Sequence, residues 1–280
     1  MTQTETAVQT TQSERLTAPA VEAKGLVKTY RGRSGTVEAV RGVDLRVEMG
    51  EIFGFLGPNG AGKSTTVKML TTLLSITAGT ARILGIDVAA QPDAVRQRIG
   101  VALQEAGLDA RQTGRELLVL QGRLFDLSAE EASRRAEGLL ELVELTDAAD
   151  RRIKSYSGGM KRRLDLASAL MHEPEVLFLD EPTTGLDPAS RVTVWDEVRR
   201  INERGTTVFL TTQYLEEADH LCDRLAIIDD GRIVREGTPA QLKAELTNRL
   251  GLAHEASLDD VFLDATGRTR LAGEVQEVKA

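Results

Sequence analysis

Two adjacent carboxylates, Asp180 and Glu181, end an apolar run in the segment VLFLDE, residues 176–181. A short apolar run of this kind favours a buried strand. Burial of an unpaired carboxylate costs free energy, and two neighbouring carboxylates also repel each other. The pair therefore predicts a nearby cation, with one acid serving a metal ion and the other a nucleophile. The alternative is a surface turn that carries two solvated acids.

A glycine-rich segment predicts a phosphate site. Residues 57–64 read GPNGAGKS and match the pattern G-x-x-x-x-G-K-[ST], between a predicted strand, IFGFL, and a predicted helix, KSTTVKMLTTLL. Glycines allow several backbone N–H groups to point at phosphate oxygens, and the helix N-terminus adds its positive dipole end. Lys63 would contact the β- and γ-phosphates, and the Ser64 hydroxyl would ligate Mg²⁺. The alternative is an ordinary glycine turn before a helix.

The two segments are predicted to meet. In open α/β sheets, ligands bind at the carboxyl ends of the strands, so the strand ending at Asp180 would finish beside the glycine loop. Mg²⁺ held by Ser64 would then give Asp180 its cation, through a water molecule. Glu181 points elsewhere in the pleat and could polarise the water that attacks the γ-phosphate.

Several motifs, in order over about residues 21–240, resemble the ATP-binding subunit of ABC transporters. The segment GPNGAGKST resembles the Walker A, and VLFLDE resembles the Walker B with its catalytic glutamate. Between them, YSGGM resembles the signature, whose common form is LSGGQ, and the later GLD, residues 185–187, resembles the D-loop. Gln104 stands where the family has its Q-loop glutamine, and Tyr30 where it has the aromatic residue that stacks on adenine.

The resemblance implies a set of site residues and two cofactors, ATP and Mg²⁺. The implied nucleotide-binding residues are Tyr30, Gly57, Pro58, Asn59, Gly60, Ala61, Gly62, Lys63, Ser64, Thr65, Ser157, Gly158 and Gly159. The implied metal-site residues are Ser64, Gln104 and Asp180, and the implied catalytic residues are Glu181, Gln213 and Gln104.

The signature segment predicts a second anion site. Ser157 is a good N-cap, and the helix GGMKRRLDLASAL follows it. A single chain already has one site for its triphosphate. The resemblance implies that two subunits pack head to tail, so that each signature completes the other subunit's site. Met160 departs from the usual glutamine, and residues 161–163, KRR, are interpreted as a solvated helix face.

Gln213 is a second departure from the family pattern. The family usually carries a histidine at this position; here TTVFLTT leads into QYLEEAD. Glutamine keeps amide donors but cannot carry a proton or a positive charge. We expect γ-phosphate sensing to survive with modest turnover; the alternative is a degenerate position in a site that hydrolyses ATP poorly. The histidines, His172, His220 and His254, are expected to be structural or exposed.

The segments LTTQYLEEAD and SLDDVFLDATG resemble those of ATP-binding subunits of daunorubicin-resistance-type exporters. The resemblance implies an ATP hydrolase that energises export of a drug, an antibiotic or a similar hydrophobic compound. Its implied partners are an integral membrane permease and a second ATP-binding subunit, and its implied location is peripheral, on the cytoplasmic face of the cell membrane. A soluble ABC ATPase without a transport role, and an ATP-sensing module without turnover, are the alternatives.

Composition narrows the class of protein. The 280 residues carry a net charge of -8, which argues against nucleic acid as a partner. The single cysteine, Cys222, cannot form an internal disulfide and is interpreted as a packing residue. No apolar stretch approaches the roughly 18 residues of a membrane span, and the Thr/Gln-rich N-terminus does not resemble a signal peptide.

The predicted fold is α/β. A RecA-like P-loop NTPase core is expected to carry the Walker motifs, with an N-terminal antiparallel β subdomain that holds Tyr30 and an inserted helical subdomain over about residues 92–172. From Glu175 on, strands and helices alternate, which predicts parallel strands with crossover helices. The predicted division is a disordered tail at 1–20, the ATP-binding domain at 21–245 and a C-terminal appendage at 246–280.

Overall fold

The computed structural model describes residues 18–32, 35–104 and 107–268. The strands are β1 (Val21–Gly32), β2 (Gly35–Val47), β3 (Ile52–Leu56), β4 (Ala78–Ile83), β5 (Ile86–Asp87), β6 (Ile99–Ala102), β7 (Val176–Asp180), β8 (Thr207–Thr212), β9 (Arg224–Asp229) and β10 (Arg232–Gly237). The α-helices are α1 (Lys63–Leu70), α2 (Pro92–Arg96), α3 (Gly114–Leu124), α4 (Ala129–Leu142), α5 (Gly158–Ala169), α6 (Pro188–Glu203), α7 (Leu215–Leu221), α8 (Pro239–Leu250) and α9 (Leu258–Ala265).

The core sheet has the strand order β10-β9-β3-β8-β7-β6. Strands β3, β6, β7, β8 and β9 run parallel, and β10 is antiparallel to β9. Strands β3, β7 and β8 are buried along their whole length, which explains why they read as continuous apolar runs rather than alternating ones. Phe209 stacks or tilts against Phe53, Phe55 and Phe178 at the centre of one face.

A second, antiparallel sheet has the order β2-β1-β4-β5. Strand β1 pairs with both β2 and β4 and buries Val21, Ala23 and Leu26. Tyr30 lies on β1 opposite Val37 and is 42% exposed. The predicted α/β class, with a parallel core and an N-terminal antiparallel β subdomain, is confirmed.

Helices α3, α4 and α5 form the helical part of the molecule. Capping boxes begin two of them, Thr113 with Glu116 at α3 and Ser128 with Glu131 at α4. The predicted helical range also contains β6, which pairs with β7 in the core sheet. Its four residues, IGVA, are too few to distinguish a buried strand from a helix segment by periodicity. The domain limits remain a prediction.

The C-terminal segment, from residue 246 to the last described residue, 268, packs on the rest of the chain. Helix α9 buries Leu258 and Val261 in the same apolar cluster as the core strands, and Arg249 of α8 pairs with Asp264. Residues 269–280 lie outside the described residues, as does the predicted disordered tail up to residue 17. Ala20, at the end of that predicted tail, is buried. Within the described ranges, no helix combines the length and apolar character that a bilayer crossing needs.

Candidate functional site

The glycine loop, residues 57–62, connects the buried strand β3 to helix α1. Two of its glycines are required by close backbone contacts. A Cβ at Gly57 would lie 2.4 Å from the carbonyl oxygen of Ile228, and one at Gly62 would lie 2.5 Å from that of Ala39. Gly62, the N-cap of α1, also has φ of 108°, which L side chains rarely adopt. The loop can therefore curl tightly at the N-terminus of the helix, as a phosphate site needs.

A cavity of about 270 Å³ lies over this loop. Its lining brings together residues from the glycine loop, from α1, and from the carboxyl ends of β6 and β7. The lining residues are Ala39, Pro58, Asn59, Gly60, Gly62, Lys63, Ser64, Thr65, Gln104 and Glu181. Most of the predicted loop residues thus share one cavity with two of the predicted catalytic residues.

Lys63 folds back over the loop and is only 5% exposed. Its Nζ donates to the carbonyl oxygens of Gly57, at 2.8 Å, and Pro58, at 3.2 Å. The same Nζ lies 3.2 Å from Oε1 of Glu181. The ammonium group is therefore the cation that the buried Glu181 requires, and it stands at the entrance to the glycine loop.

Ser64 and Asp180 are in direct contact. The Ser64 Oγ donates to Oδ1 of Asp180 at 3.1 Å, and Thr211 Oγ1 of the neighbouring strand β8 donates to the same oxygen at 2.6 Å. A hydroxyl beside a carboxylate offers the hard oxygen ligands that Mg²⁺ prefers. These residues fit a divalent cation, held by Ser64 and Asp180.

Glu181 has an unusual backbone conformation, with φ of 49°. Its N–H donates to the carbonyl oxygen and to Oγ1 of Thr211, both at 3.1 Å. Its Oε2 accepts from Thr184 Oγ1 at 3.2 Å and from Gln104 Nε2 at 3.4 Å. A left-handed non-glycine residue costs free energy and is kept where the surroundings hold it, often at functional sites.

The signature segment begins helix α5. Ser157 is its N-cap, with Oγ accepting from the N–H of Met160 at 3.2 Å, as predicted. A Cβ at Gly159 would lie 2.9 Å from Ser190 Oγ, whereas one at Gly158 would have space. Among the described residues, neither Ser157 nor these glycines line the cavity over the glycine loop.

Gln213 and Tyr30 also lie outside this cavity lining, as do Gly57, Ala61 and Asp180. Gln213 directly follows β8 and is half-buried, one residue after the carboxyl end of that strand. Tyr30 is exposed on the antiparallel sheet, with Lys28 Nζ 5.4 Å from its ring centroid. Their predicted contacts with nucleotide stay predictions.

The interpretation of residues 161–163 as a solvated helix face is wrong for Arg163, whose side chain is 19% exposed, and above all for Arg162. The side chain of Arg162 is 10% exposed. Its guanidinium donates to backbone carbonyl oxygens that flank Gln104 and Glu181 and pairs with Asp165. Helical spacing was the available signal, because Arg162 shares a face with the buried Leu166 and Ala169.

Glu217 is a second residue that the sequence interpretation missed. It is fully buried on α7, and its Oε1 accepts from Thr183 Oγ1 at 2.8 Å and from Trp195 Nε1 at 3.0 Å. Burial raises the pKa of this carboxyl group. Its spacing from the buried Leu221, four residues on, was the signal that it faces the core.

The histidines and the cysteine agree with their predicted structural roles. His172 stacks on Phe125 and lies with Nε2 2.8 Å from the carbonyl oxygen of Ile99, and burial lowers its pKa. His220 and His254 are exposed. Cys222 is buried at the end of α7, and burial raises the pKa of its thiol.

Comparisons with known proteins agree with this geometry. The family model described as ABC transporter matches residues 40–184. The chain is 55% identical over 227 residues to the daunorubicin/doxorubicin resistance ATP-binding protein DrrA of Streptomyces peucetius, covering 81% of this chain and 68% of that protein. It is 47% identical over 210 residues to the Nod factor export ATP-binding protein I of Burkholderia lata, covering 75% and 69%.

Two solved structures extend the likeness to the fold. A dimeric ATP-binding cassette in a post-hydrolysis state, bound to ADP and Pi, superposes with a TM-score of 0.72 at 28% identity, covering 78% of this chain and 98% of that one. An ATP-binding subunit of an ABC transporter superposes with a TM-score of 0.75 at 28% identity, covering 88% and 99%. The family match, the relatives and the shared fold show that this chain belongs to the ATP-binding subunits of the ABC transporter family, a family of nucleotide-binding ATPases.

Proposed function

We propose that this chain hydrolyses ATP to energise export of a drug, an antibiotic or a similar hydrophobic compound through a separate membrane permease. The observation that carries the proposal is the contact of Lys63 with Glu181 and of Ser64 with Asp180, at 3.2 and 3.1 Å, beside one glycine loop. The class of cargo is inferred from relatives named for daunorubicin and doxorubicin resistance and for Nod factor export.

The triphosphate would lie against the glycine loop, where backbone N–H groups and the N-terminus of α1 face it. Lys63 would exchange part of its contact with Glu181 for the phosphate oxygens, because an ammonium with three donors can serve both. Bound Mg²⁺, held by Ser64 and Asp180 with Gln104 nearby, would offset the negative charge of the β- and γ-phosphates.

Glu181 would act as the general base. It would orient a water molecule and accept its proton as the water oxygen bonds to the γ-phosphorus. The bond from that phosphorus to the β–γ bridging oxygen would break, and ADP and phosphate would leave. Gln104, which donates to Glu181 at 3.4 Å, would hold the carboxylate from the side of β6. Gln213, at the end of β8, would meet the γ-phosphate through its amide.

A second copy of the chain is proposed to complete the site. The capped N-terminus of α5 offers N–H groups to an anion, yet its signature residues lie outside the chain's own cavity. A head-to-tail pair would place each signature against the partner's triphosphate. The similar ATP-binding cassette that is dimeric with ADP and Pi bound supports the formation of a pair.

The permease is proposed to dock where the helical part meets the core. A groove of about 340 Å³ lies between β6 and the helices α3 and α5, lined by Leu73, Leu103 and Phe125 among others. Leu73 of this lining is 56% exposed, and α3 also exposes Leu120 and Leu124, at 48% and 69%, outside the lining. Strand β6 runs from this groove toward Gln104. It would therefore link the docked permease to the residues that contact the γ-phosphate. The chain would then lie peripherally on the cytoplasmic face of the membrane.

Doxorubicin accumulation in the host cell tests the export proposal. Deletion of the encoding gene should raise the intracellular fluorescence of the drug, and the wild-type gene should restore low accumulation. A gene carrying Glu181→Gln should fail to restore it. Unchanged accumulation after deletion would reject this class of cargo, while leaving ATP hydrolysis to be judged by purified protein.

A further inference from the structure

We propose that Arg162 is a positioning residue for the catalytic carboxylate. Its guanidinium fastens helix α5 to the backbone on both sides of Glu181 and to the residue before Gln104. This inference rests on the proposed role of Glu181 as general base.

The first part of the argument is the pair of contacts around Glu181. Arg162 Nε donates to the carbonyl oxygen of Pro182 at 2.9 Å, and Nη2 donates to that of Asp180 at 3.2 Å. These two carbonyl groups belong to the residues immediately before and after Glu181. One planar guanidinium therefore brackets the general base without touching its carboxylate.

The second part is the contact with the end of β6. Arg162 Nη1 donates to the carbonyl oxygen of Leu103 at 2.6 Å, and Nη2 lies 3.5 Å from that of Ala102. Leu103 directly precedes Gln104, whose amide donates to Glu181. Both partners of the Gln104–Glu181 hydrogen bond thus stand on backbone that Arg162 holds.

The backbone of Glu181 needs such support. A non-glycine residue in the left-handed region costs on the order of 1–3 kcal/mol and persists only where surrounding contacts determine it. The φ of Glu181 is 49°. The N–H of Glu181 donates to the carbonyl oxygen and to Oγ1 of Thr211, and Arg162 donates to the carbonyl groups of Asp180 and Pro182 on either side.

Among the described residues, Arg162 forms an ion pair with Asp165, and the buried carboxylates of Asp180 and Glu217 add attraction from farther away. Asp165 Oδ2 accepts from Nη1 at 3.0 Å, and the two side chains are 10% and 13% exposed. Burial lowers the pKa of Arg162 and raises that of Asp165 to about 6. The remaining donors of the guanidinium contact the backbone carbonyl groups of Pro182, Leu103 and Asp180.

Lysine cannot replace this arrangement. An ammonium group can neutralise Asp165, but it presents one nitrogen rather than a planar fork with five N–H donors. Arg162→Lys should therefore keep the positive charge and lose the hydrogen bonds to the carbonyl groups on both sides of Glu181. The neighbouring Arg163 offers a matched control, because it is also largely buried and its Nη1 donates to carbonyl groups of residues 143 and 144 in the helical part only.

The test compares full-length wild type, Arg162→Lys and Arg163→Lys. ATP affinity by titration calorimetry should stay within about two-fold in all three, and kcat should fall at least about ten-fold in Arg162→Lys alone, since a lost positioning contact acts on the chemical step. Equal kcat values for the two lysine variants would overturn the inference.

A double variant separates positioning of Glu181 from support of the signature. The Glu181→Gln variant should form dimers when ATP is bound, which light scattering measures. The double variant with Arg162→Lys added should dimerise to the same extent. Loss of dimerisation in the double variant would show that Arg162 serves the signature helix instead, and would also overturn the inference.

Asp165→Asn provides a second route if Arg162→Lys fails to fold. It keeps the guanidinium but removes its anionic partner, so kcat should fall roughly two- to five-fold at unchanged ATP affinity, as expected for a weakened rather than a lost contact. A wild-type kcat in Asp165→Asn would then reject the positioning role of Arg162. Full turnover in Glu181→Gln alone would reject the proposed function itself, and the inference with it.

Discussion

At the scale of single residues, the site is governed by one buried ion pair. Lys63 and Glu181 are 4% and 6% exposed in their side chains, and Lys63 also bonds two loop carbonyl groups. Removing one partner of such a pair leaves the other charge buried and uncompensated, which costs more than the pair itself contributes. Substitutions of either residue should therefore change both the stability of the fold and the affinity for nucleotide.

Lys63→Ala is expected to weaken ATP binding by at least about ten-fold, because hydrogen bonds to charged groups contribute roughly 1.5–3 kcal/mol. It should also lower the melting temperature, since Glu181 loses its cation. Titration calorimetry and thermal unfolding measure the two effects. Lys68→Ala, an exposed lysine on the same helix, is the control. Equal ATP affinity in the two variants would contradict the assignment of the loop.

Gln213→His should leave ATP hydrolysis intact or raise it. Imidazole can donate to the γ-phosphate, as the amide is proposed to do, and can also carry a proton near neutral pH. Steady-state phosphate release across a range of pH measures the outcome. A large loss of activity would mean that the amide performs a task that an imidazole cannot.

At the scale of secondary-structure elements, Glu217 connects helix α7 to helix α6 and to the segment that follows β7. It accepts from Thr183, just after the β7 strand end, and from Trp195 of α6. Glu217→Ala would leave two buried donors unpaired and should lower the free energy of unfolding by about 2–5 kcal/mol. Glu217→Gln keeps the accepting oxygen and should cost less. Urea unfolding measures the difference, with the exposed Glu216→Ala as control; equal losses in the Ala variants would contradict the role of Glu217.

A second buried carboxyl group makes stability depend on pH. Glu197 of α6 is fully buried, and burial raises its pKa to about 8, opposed by Arg163. The folded state then keeps a proton that the unfolded chain releases above its own pKa near 4.5. The contribution of Glu197 to the free energy of unfolding should therefore be fully present below the unfolded pKa and should be lost as pH rises to about 8.

Glu197→Gln removes this dependence, because the amide does not titrate. Urea unfolding from about pH 5 to about pH 8 should show the variant gaining stability relative to wild type as pH rises. A constant difference between the two proteins over that range would mean that Glu197 is ionised in the folded state.

The elements differ in how well the sequence predicts them. Strands β3, β7 and β8 were predictable because burial on both faces leaves an uninterrupted apolar run. Strand β6 was placed in the helical subdomain, since four residues carry no distinguishing period and its pairing with β7 bridges more than 70 residues of sequence. The contacts of Arg162 were hidden for the same reason, because they require β6 beside α5.

At the scale of the whole molecule, the site lies at the carboxyl edge of the core sheet, and the antiparallel sheet and the helical part carry further predicted site residues. The core sheet places the Walker A loop beside Asp180 and Glu181, as the sequence predicted from motif order and from the position of ligands in open α/β sheets. The antiparallel sheet carries Tyr30 and the helical part carries the signature. Neither lines the cavity over the glycine loop in the single chain. Their proposed roles therefore require a bound nucleotide and a second copy of the chain.

The most direct test of this account measures the mass of Glu181→Gln by light scattering with and without Mg²⁺ and ATP, together with its rate of phosphate release. We expect a monomer without nucleotide, a dimer with ATP, and no turnover, because the sites close around a triphosphate that cannot be hydrolysed. A variant that stays monomeric with ATP, or that releases phosphate at the wild-type rate, would contradict the central role assigned to Glu181 and the paired site.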